Sequence, residues 1–281
     1  MAAIRSYRRG ALSFDVDDSG GDGHLVVLLH GFPQTRRMWR SITPALVEAG
    51  YRVIAPDQRG YSPGARPRRR RDYVPAELAA DVLALADSVG AERFHVVGHD
   101  WGGVVAWQLG ATCPQRLHSV SVLSTPHPAA MARAMLRSNQ LLKSWYMLSF
   151  QIPVLTERFL RSDRGQRFFA EQLSGSGLPA DEVAESLELV RSEAATPALN
   201  WYRALLVTKP GGPGPVSVPT LFLWGAKDLA LGRTAAELTR QWVTGPYTFK
   251  ELPDANHWLV SEEPEAVTAA VIDHMRNALS A

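Results

Sequence analysis

The stretch Phe94-His95-Val96-Val97-Gly98-His99-Asp100-Trp101-Gly102-Gly103 puts one carboxylate where a β-branched apolar run stops and two glycines open the next segment. That order reads as a strand, a sharp turn and a helix start. A side chain held on so tight a turn leaves no room for Cβ atoms beside it, which is a physical reason for glycine on both sides. Taken alone, Gly-His-Asp-Trp-Gly is also compatible with an ordinary turn, since Gly and Asp are common there. Two further residues stand where apolar runs end, Asp228 and His257. A carboxylate is a weak nucleophile towards carbonyl carbon, but it can displace a leaving group from saturated carbon and form an alkyl ester. A histidine oriented by a second carboxylate can then act as general base on water. Such chemistry requires no metal and no organic cofactor.

The elements that must hold these residues alternate along the chain. Short strands are expected at 4–7 and 11–16, followed by a glycine-rich acidic loop at 17–23. The continuous apolar run 24–29 has the signature of a strand buried on both faces of a parallel sheet. A helix carrying Trp39, Ile42, Leu46 and Val47 ends at Gly50, and a strand at 51–55 follows. The helix from Pro75 carries Leu78, Val82, Leu85 and Val89 on one face, with proline at its start and Gly90 just past its end. After the 94–99 strand come a helix at 103–112 and a strand at 117–123. From 129 to 209 the periodicity is helical and rich in aromatics, and 210–215 (Pro-Gly-Gly-Pro-Gly-Pro) reads as a linker. Strands at 219–225 and 247–252 and helices at 233–242 and 262–279 resume the alternation. Repeated βα units on either side of a helical insertion mean a mostly parallel central sheet with helices on both faces. The expected organisation is an α/β core at 1–128 and 216–281 with a helical cap at 129–215, seated over the strand ends where ligands bind in open α/β sheets.

Composition narrows the class. With 46% hydrophobic and 21% charged residues over 281 positions, the chain can fill a large core. A net charge of +2 is too near neutral for a nucleic-acid protein, and the arginines at 66 and 68–71 read as a solvated loop. Cys113 is the only cysteine, so no internal disulfide forms. The stretch 1–10 is basic without an apolar core, so no signal peptide is expected, and no apolar run approaches the roughly twenty residues that span a bilayer. A cytoplasmic protein, monomeric or homodimeric and without nucleic-acid or membrane partners, is expected.

The motifs also resemble a known superfamily. Gly98-x-Asp100-x-Gly102 fits the nucleophile elbow of α/β-hydrolases with Asp in place of Ser. Leu223-Trp224-Gly225-Ala226-Lys227-Asp228 is similar to the acid loop, Asn256-His257-Trp258 to the histidine loop, and His30-Gly31-Phe32-Pro33 to the oxyanion loop. The order nucleophile, acid, histidine is that of the superfamily, and the likeness covers nearly the whole chain. It implies an α/β-hydrolase fold with a catalytic triad of Asp100, Asp228 and His257, and backbone N–H groups of Phe32 and Trp101 as the oxyanion hole.

Two Asp-nucleophile families are similar, epoxide hydrolases and haloalkane dehalogenases. A departing halide is already ionic and needs N–H donors, whereas a departing epoxide oxygen needs an acid. Phe32 stands where many dehalogenases have Asn. Asn200-Trp201-Tyr202-Arg203 and the stretch 144–153 resemble the two epoxide-hydrolase segments that carry ring-opening tyrosines, which implies Tyr146 and Tyr202 as donors to the epoxide oxygen. The alternative for these tyrosines is an amphipathic core role in the helical insertion. Fluoroacetate dehalogenases also share His-Gly-Phe-Pro, but usually carry Arg where this chain has Trp101. Trp145, Met147, Phe150, Met135 and Trp258 suggest an apolar pocket, and the implied substrates are a small lipophilic epoxide and water. His99 is expected to point away from the cleft as a structural residue. His127 has no evident role, Asp57 and Arg59 are expected to bond within their own loop, and Asp254 is a weaker candidate than Asp228. A dehalogenase, a non-catalytic ligand receptor on the same fold and a serine-type esterase are the other readings; the last fails on Asp100.

Overall fold

Leu25–Leu29 and Phe94–His99 are buried at every position and lie side by side at the centre of an eight-stranded sheet. The computed structural model describes residues 2–138, 140–208 and 211–280. Among these, the strands are β1 (Ser6–Arg9), β2 (Leu12–Asp18), β3 (Leu25–Leu29), β4 (Arg52–Pro56), β5 (Phe94–His99), β6 (Leu117–Leu123), β7 (Thr220–Gly225) and β8 (Tyr247–Leu252). Their spatial order is β1-β2-β4-β3-β5-β6-β7-β8. β1 and β2 pair antiparallel with each other, β2 pairs antiparallel with β4, and every other pairing is parallel.

The pleat of the buried strands divides the core in two. Leu25, Val27 and Leu29 face a cluster with Val82, Leu85, Val105 and Trp107, supplied by helices Pro75–Ser88 and Trp101–Thr112. Val26 and Leu28 face the other cluster, with Trp39, Ile42 and Leu46 and with Val267, Val271 and Met275 of helix Pro264–Ser280. Alternate side chains of one strand therefore serve opposite layers, as the two-residue period requires.

Chain direction decides where the loops gather. From β3 the chain moves to β4 on one side, then returns to place β5 on the other, with Leu29 aligned to Gly98. The order of the sheet switches between β3 and β5, and the segments that leave their carboxyl ends open a crevice there. Between β6 and β7 lies the helical insertion, Pro128–Arg137 through Ala195–Ala204 and the 3₁₀ turn Leu205–Val207, as the aromatic-rich helical pattern requires.

Several boundaries differ from the sequence reading. The first two strands are Ser6–Arg9 and Leu12–Asp18, because Arg9 pairs with Leu12 across the Gly10 turn and Val16, Asp17 and Asp18 extend the ladder onto β4. The helix expected from 103 starts at Trp101, since Gly102 and Gly103 pack inside its first turn. The terminal helix is two pieces, Leu259–Glu262 and Pro264–Ser280, because Pro264 lacks an N–H and begins a new helix. The segment 233–242 passes from α-helix to a 3₁₀ turn at Thr239. Met1, Asn139, Lys209, Pro210 and Ala281, which the 1–10, insertion, linker and core assignments include, lie outside the described residues. Among the described residues no helix is long and apolar enough to cross a membrane, and no group of His, Cys, Asp and Glu is arranged to hold a metal ion.

Candidate active site

Asp100 sits just beyond β5 with φ of 51° and ψ of −119°, a backbone region that non-glycine residues rarely occupy. Packing over-determines this strain. A Cβ on Gly98 would collide with the Gly102 carbonyl, and one on Gly102 with that of Leu29, so the two glycines let the turn close on β3. Gly31 is constrained from the other side, where a Cβ would strike the Asp100 carboxylate. The result is a carboxylate lifted into the crevice. Its Oδ1 accepts the Phe32 N–H at 2.9 Å, while Oδ2 lies 3.6 Å from Nε2 of His257. The Trp101 N–H begins the helix Trp101–Thr112, where the first N–H groups lack intrahelical acceptors.

His257 Nδ1 donates to Oδ2 of Asp228 at 2.8 Å. The other carboxylate oxygen of Asp228 accepts the N–H groups of Ala230 (2.7 Å) and Leu231 (2.8 Å), which fixes the carboxylate plane towards the imidazole. Burial disfavours charge on His257, yet Asp228 and Asp100 outweigh it and raise its pKa to about 10. Burial likewise works against the Asp100 charge, but His257 and the Phe32 N–H hold that carboxyl below its ordinary range. Both neighbouring acids therefore favour the protonated form of the imidazole.

Tyr146 and Tyr202 come from separate helices of the insertion, Trp145–Ser149 and Ala195–Ala204, and their rings meet edge to face at 6.3 Å. Tyr202 also packs on Trp101 at 4.9 Å, Phe32 at 5.5 Å and Phe150 at 5.0 Å. Polar ties fix the two helices together. Gln151 Nε2 donates to the carbonyls of Tyr202 (3.0 Å) and Met147 (3.2 Å), and buried Arg203 bonds the Phe150 carbonyl (2.9 Å) and Glu157 (2.7 Å). Trp201 Nε1 anchors the same helix to the core through the Arg59 carbonyl at 2.8 Å. Burial raises the pKa of both phenols, with the Asp100 charge adding to it, so both keep their protons at neutral pH.

This sheet topology, with an elbow after β5, an acid after β7 and a histidine after β8, agrees with what the sequence matches. A family model described as the alpha/beta hydrolase fold covers residues 24–264. The chain belongs to the α/β-hydrolase family. Among its relatives, this α/β-hydrolase is 36% identical over 267 residues to the AB hydrolase superfamily protein YfhM of Bacillus subtilis, covering 91% of each chain. It is 34% identical to Epoxide hydrolase A of Mycobacterium tuberculosis, covering 89% of this chain and 90% of that one. The crystal structure of Epoxide Hydrolase A from Mycobacterium thermoresistibile superposes with a TM-score of 0.83 at 33% identity, covering 97% of both chains. These likenesses place this α/β-hydrolase in the epoxide hydrolase family, and make it a hydrolase.

Of the residues singled out in the sequence of this α/β-hydrolase, Asp100, Asp228, His257, Tyr146, Tyr202, Phe32, Trp101 and Phe150 converge, and Met147 packs against the same cluster. Trp258 flanks His257, ring to ring at 4.9 Å, and its Nε1 donates to Ser176 of the insertion. Trp145 is a correction: it is 54% exposed, because on its short helix Tyr146 and Met147 take the inward positions. Met135 is half-buried on Pro128–Arg137 and lies outside the aromatic cluster. Asp57 and Arg59 bond beyond their own loop, Asp57 to Arg36 and Arg59 to Asp81 through two contacts of 2.7 Å. Asp254 forms an exposed pair with Lys227, and buried His127 stacks on Trp242 and accepts the Ala129 N–H. Sequence reasoning missed Phe169, which packs on Phe32 at 6.2 Å from the far helix Asp163–Gly175. It also missed Ser124 and Thr125, whose hydroxyls bond the carbonyls of His257 and Asp100. The one available signal was their place at the end of β6.

Proposed function

We propose that this α/β-hydrolase is an epoxide hydrolase acting on a small lipophilic epoxide and water, with residues 129–215 as the cap over a core of 1–128 and 216–281. The observation that carries this reading is the pair of protonated phenols, Tyr146 and Tyr202, packed against each other beside Asp100. The relatives named epoxide hydrolases support it.

Oδ1 of Asp100 is engaged by the Phe32 N–H, which leaves Oδ2 to attack a ring carbon of the epoxide. As the C–O bond breaks, the oxygen takes a proton from Tyr146 or Tyr202, which an alkoxide requires and a halide does not. Formation of the ester removes one of the two negative charges that raise the His257 pKa, so the imidazole becomes a competent base. The proton it sheds equals the one the tyrosine gave up, and the phenol is restored. His257, held by Asp228, then takes a proton from water, and the hydroxide attacks the Asp100 carbonyl carbon. In this reading the N–H groups of Phe32, which already bonds Oδ1, and Trp101 receive the oxyanion. Collapse passes the proton from His257 to the departing oxygen and releases the vicinal diol, and the proton left on the Asp100 acid moves to His257, restoring the starting charges. No cofactor enters these steps.

The dehalogenase alternative is weaker because Phe32 supplies no side-chain donor, and it packs on the same Tyr202 ring that Trp101 meets edge to face at 4.9 Å. Incubation with styrene oxide and, separately, 1-bromobutane distinguishes the two, with Asp100→Ala as control. Diol that disappears in the variant, with little bromide released, supports the epoxide hydrolase. Bromide without diol overturns it.

A further inference from the structure

His99 and Ser124 are both fully buried and both spend their donor on one atom, the backbone carbonyl oxygen of His257. His99 Nε2 lies 2.8 Å from it and Ser124 Oγ 2.7 Å, so both lone pairs of that carbonyl are occupied. A carbonyl only accepts, so His99 carries its proton on Nε2, and its Nδ1 has no hydrogen-bond partner. Burial, and then the neighbouring charge of His257, lower the His99 pKa to about 4 and keep that ring neutral. The next residue along completes the set: Thr125 Oγ1 donates to the Asp100 carbonyl at 2.8 Å. Ser124 itself takes a φ of 66°, and its N–H bonds the Leu223 carbonyl of β7 at 2.8 Å. Adjacent hydroxyls at the end of β6 thus grip the backbones on either side of the Asp100–His257 gap. His99 closes the loop from β5, being covalently next to Asp100.

We propose that His99, Ser124 and Thr125 form a positioning clamp that sets the spacing between His257 and Asp100. On the epoxide-hydrolase reading above, on which this inference rests, the clamp governs mainly the hydrolytic half of the reaction. Attack by Asp100 needs the elbow and the phenols. Hydrolysis needs a water held between Nε2 of His257 and the Asp100 carbonyl carbon, and that water fits only while the two backbones keep their distance. A displacement of about 1 Å in such a site costs on the order of 10²-fold in rate. None of the three side chains is needed to touch substrate, so none is a catalytic residue.

The test uses the full chain with Ser124→Ala, Thr125→Val, His99→Phe and His99→Gln, the last placing an amide N–H near the position of the imidazole Nε2. Single-turnover reactions with styrene oxide separate formation of the alkyl-enzyme, followed by intact mass, from its decay to diol. For Ser124→Ala and His99→Phe the expected result is formation within about threefold of wild type and decay slowed by about 10²-fold. The ester then accumulates, kcat and KM fall together, and His99→Gln recovers most of the decay rate. Thr125→Val, acting on the Asp100 side, slows both steps. Equal loss in formation and decay for Ser124→Ala and His99→Phe, or no loss in either, overturns the clamp. A second readout needs no substrate: the downfield proton resonance of His257 Nδ1 broadens or shifts in Ser124→Ala and His99→Phe and returns in His99→Gln. If wild type makes no diol, the functional reading fails while this resonance still decides the clamp, and an unchanged resonance in both variants rejects it.

Discussion

Replacing Asp228 by Asn changes one atom type beside His257 and leaves the surrounding shape alone. The Asn carbonyl oxygen can keep the bonds from the Ala230 and Leu231 N–H groups, which puts the amide NH₂ where Oδ2 now meets His257 Nδ1 at 2.8 Å. That amide is a donor, so Nδ1 must become the acceptor and the ring proton moves to Nε2. The imidazole then faces the site with an N–H and has no lone pair with which to take a proton from water. The pKa of about 10 also falls, because Asp228 is the largest source of the attraction that raises it. Asp100 keeps its elbow and the Phe32 N–H bond to Oδ1, so its attack on an epoxide is retained. Loss of the general base in the wrong tautomer costs roughly 10³ to 10⁴-fold, or about 4–5.5 kcal/mol of activation free energy. The assay is a rapid mix with excess styrene oxide, reading intact mass and diol together. The expected outcome is a stoichiometric adduct on Asp100, formed at close to the wild-type rate, with diol formation slowed by at least about 10³-fold. Turnover within about tenfold of wild type, or an inactive variant with no adduct, would refute the base assignment.

Three further outcomes are expected. Tyr146→Phe and Tyr202→Phe each slow alkyl-enzyme formation by about 10–10²-fold, and the double variant forms no detectable adduct, because a lone phenol can still protonate the oxygen but none cannot; single-turnover mass measurements check this. Gly31→Ala pushes a Cβ into the Asp100 carboxylate and abolishes activity while the circular dichroism and melting temperature stay near wild type, since the collision is confined to the crevice. Stability to urea falls as pH drops from 6.5 towards 4, because His95 (pKa lowered to about 3), His99, His127 and His274 (each about 4) are held neutral by burial. The unfolded chain binds protons at these sites near the ordinary value of 6.5 and the folded one does not, so each adds a slope of about 1.4 kcal/mol per pH unit in that window. His257 works in the opposite sense, stabilising fully below 6.5 and losing that contribution as pH rises towards 10. A urea midpoint unchanged between pH 7 and pH 5 contradicts the burial argument.

The parallel sheet was legible in the sequence because its strands are buried on both faces, and burial writes itself as continuous apolar runs such as Leu25–Leu29. The elbow was legible because a strained turn demands glycine at particular positions beside one reactive side chain. Asp228 and His257 could be named because each follows a strand that ends at a recognisable loop. What the sequence alone could not decide was direction and contact. Trp145 and Tyr146 are neighbours in a helical segment with no strong period, and only packing shows that Tyr146 meets Tyr202 while Trp145 faces outward. His99 next to Asp100 carried no signal beyond its position, because its partner is a backbone carbonyl 158 residues away. The same is true of Ser124 and Thr125, whose hydroxyl bonds link β6 to loops distant in sequence. Local steric demands and burial patterns are properties of short segments and survive in the one-dimensional chain. Hydrogen bonds to a distant main-chain atom leave no mark on the partner's side chain, so only the folded structure reveals them.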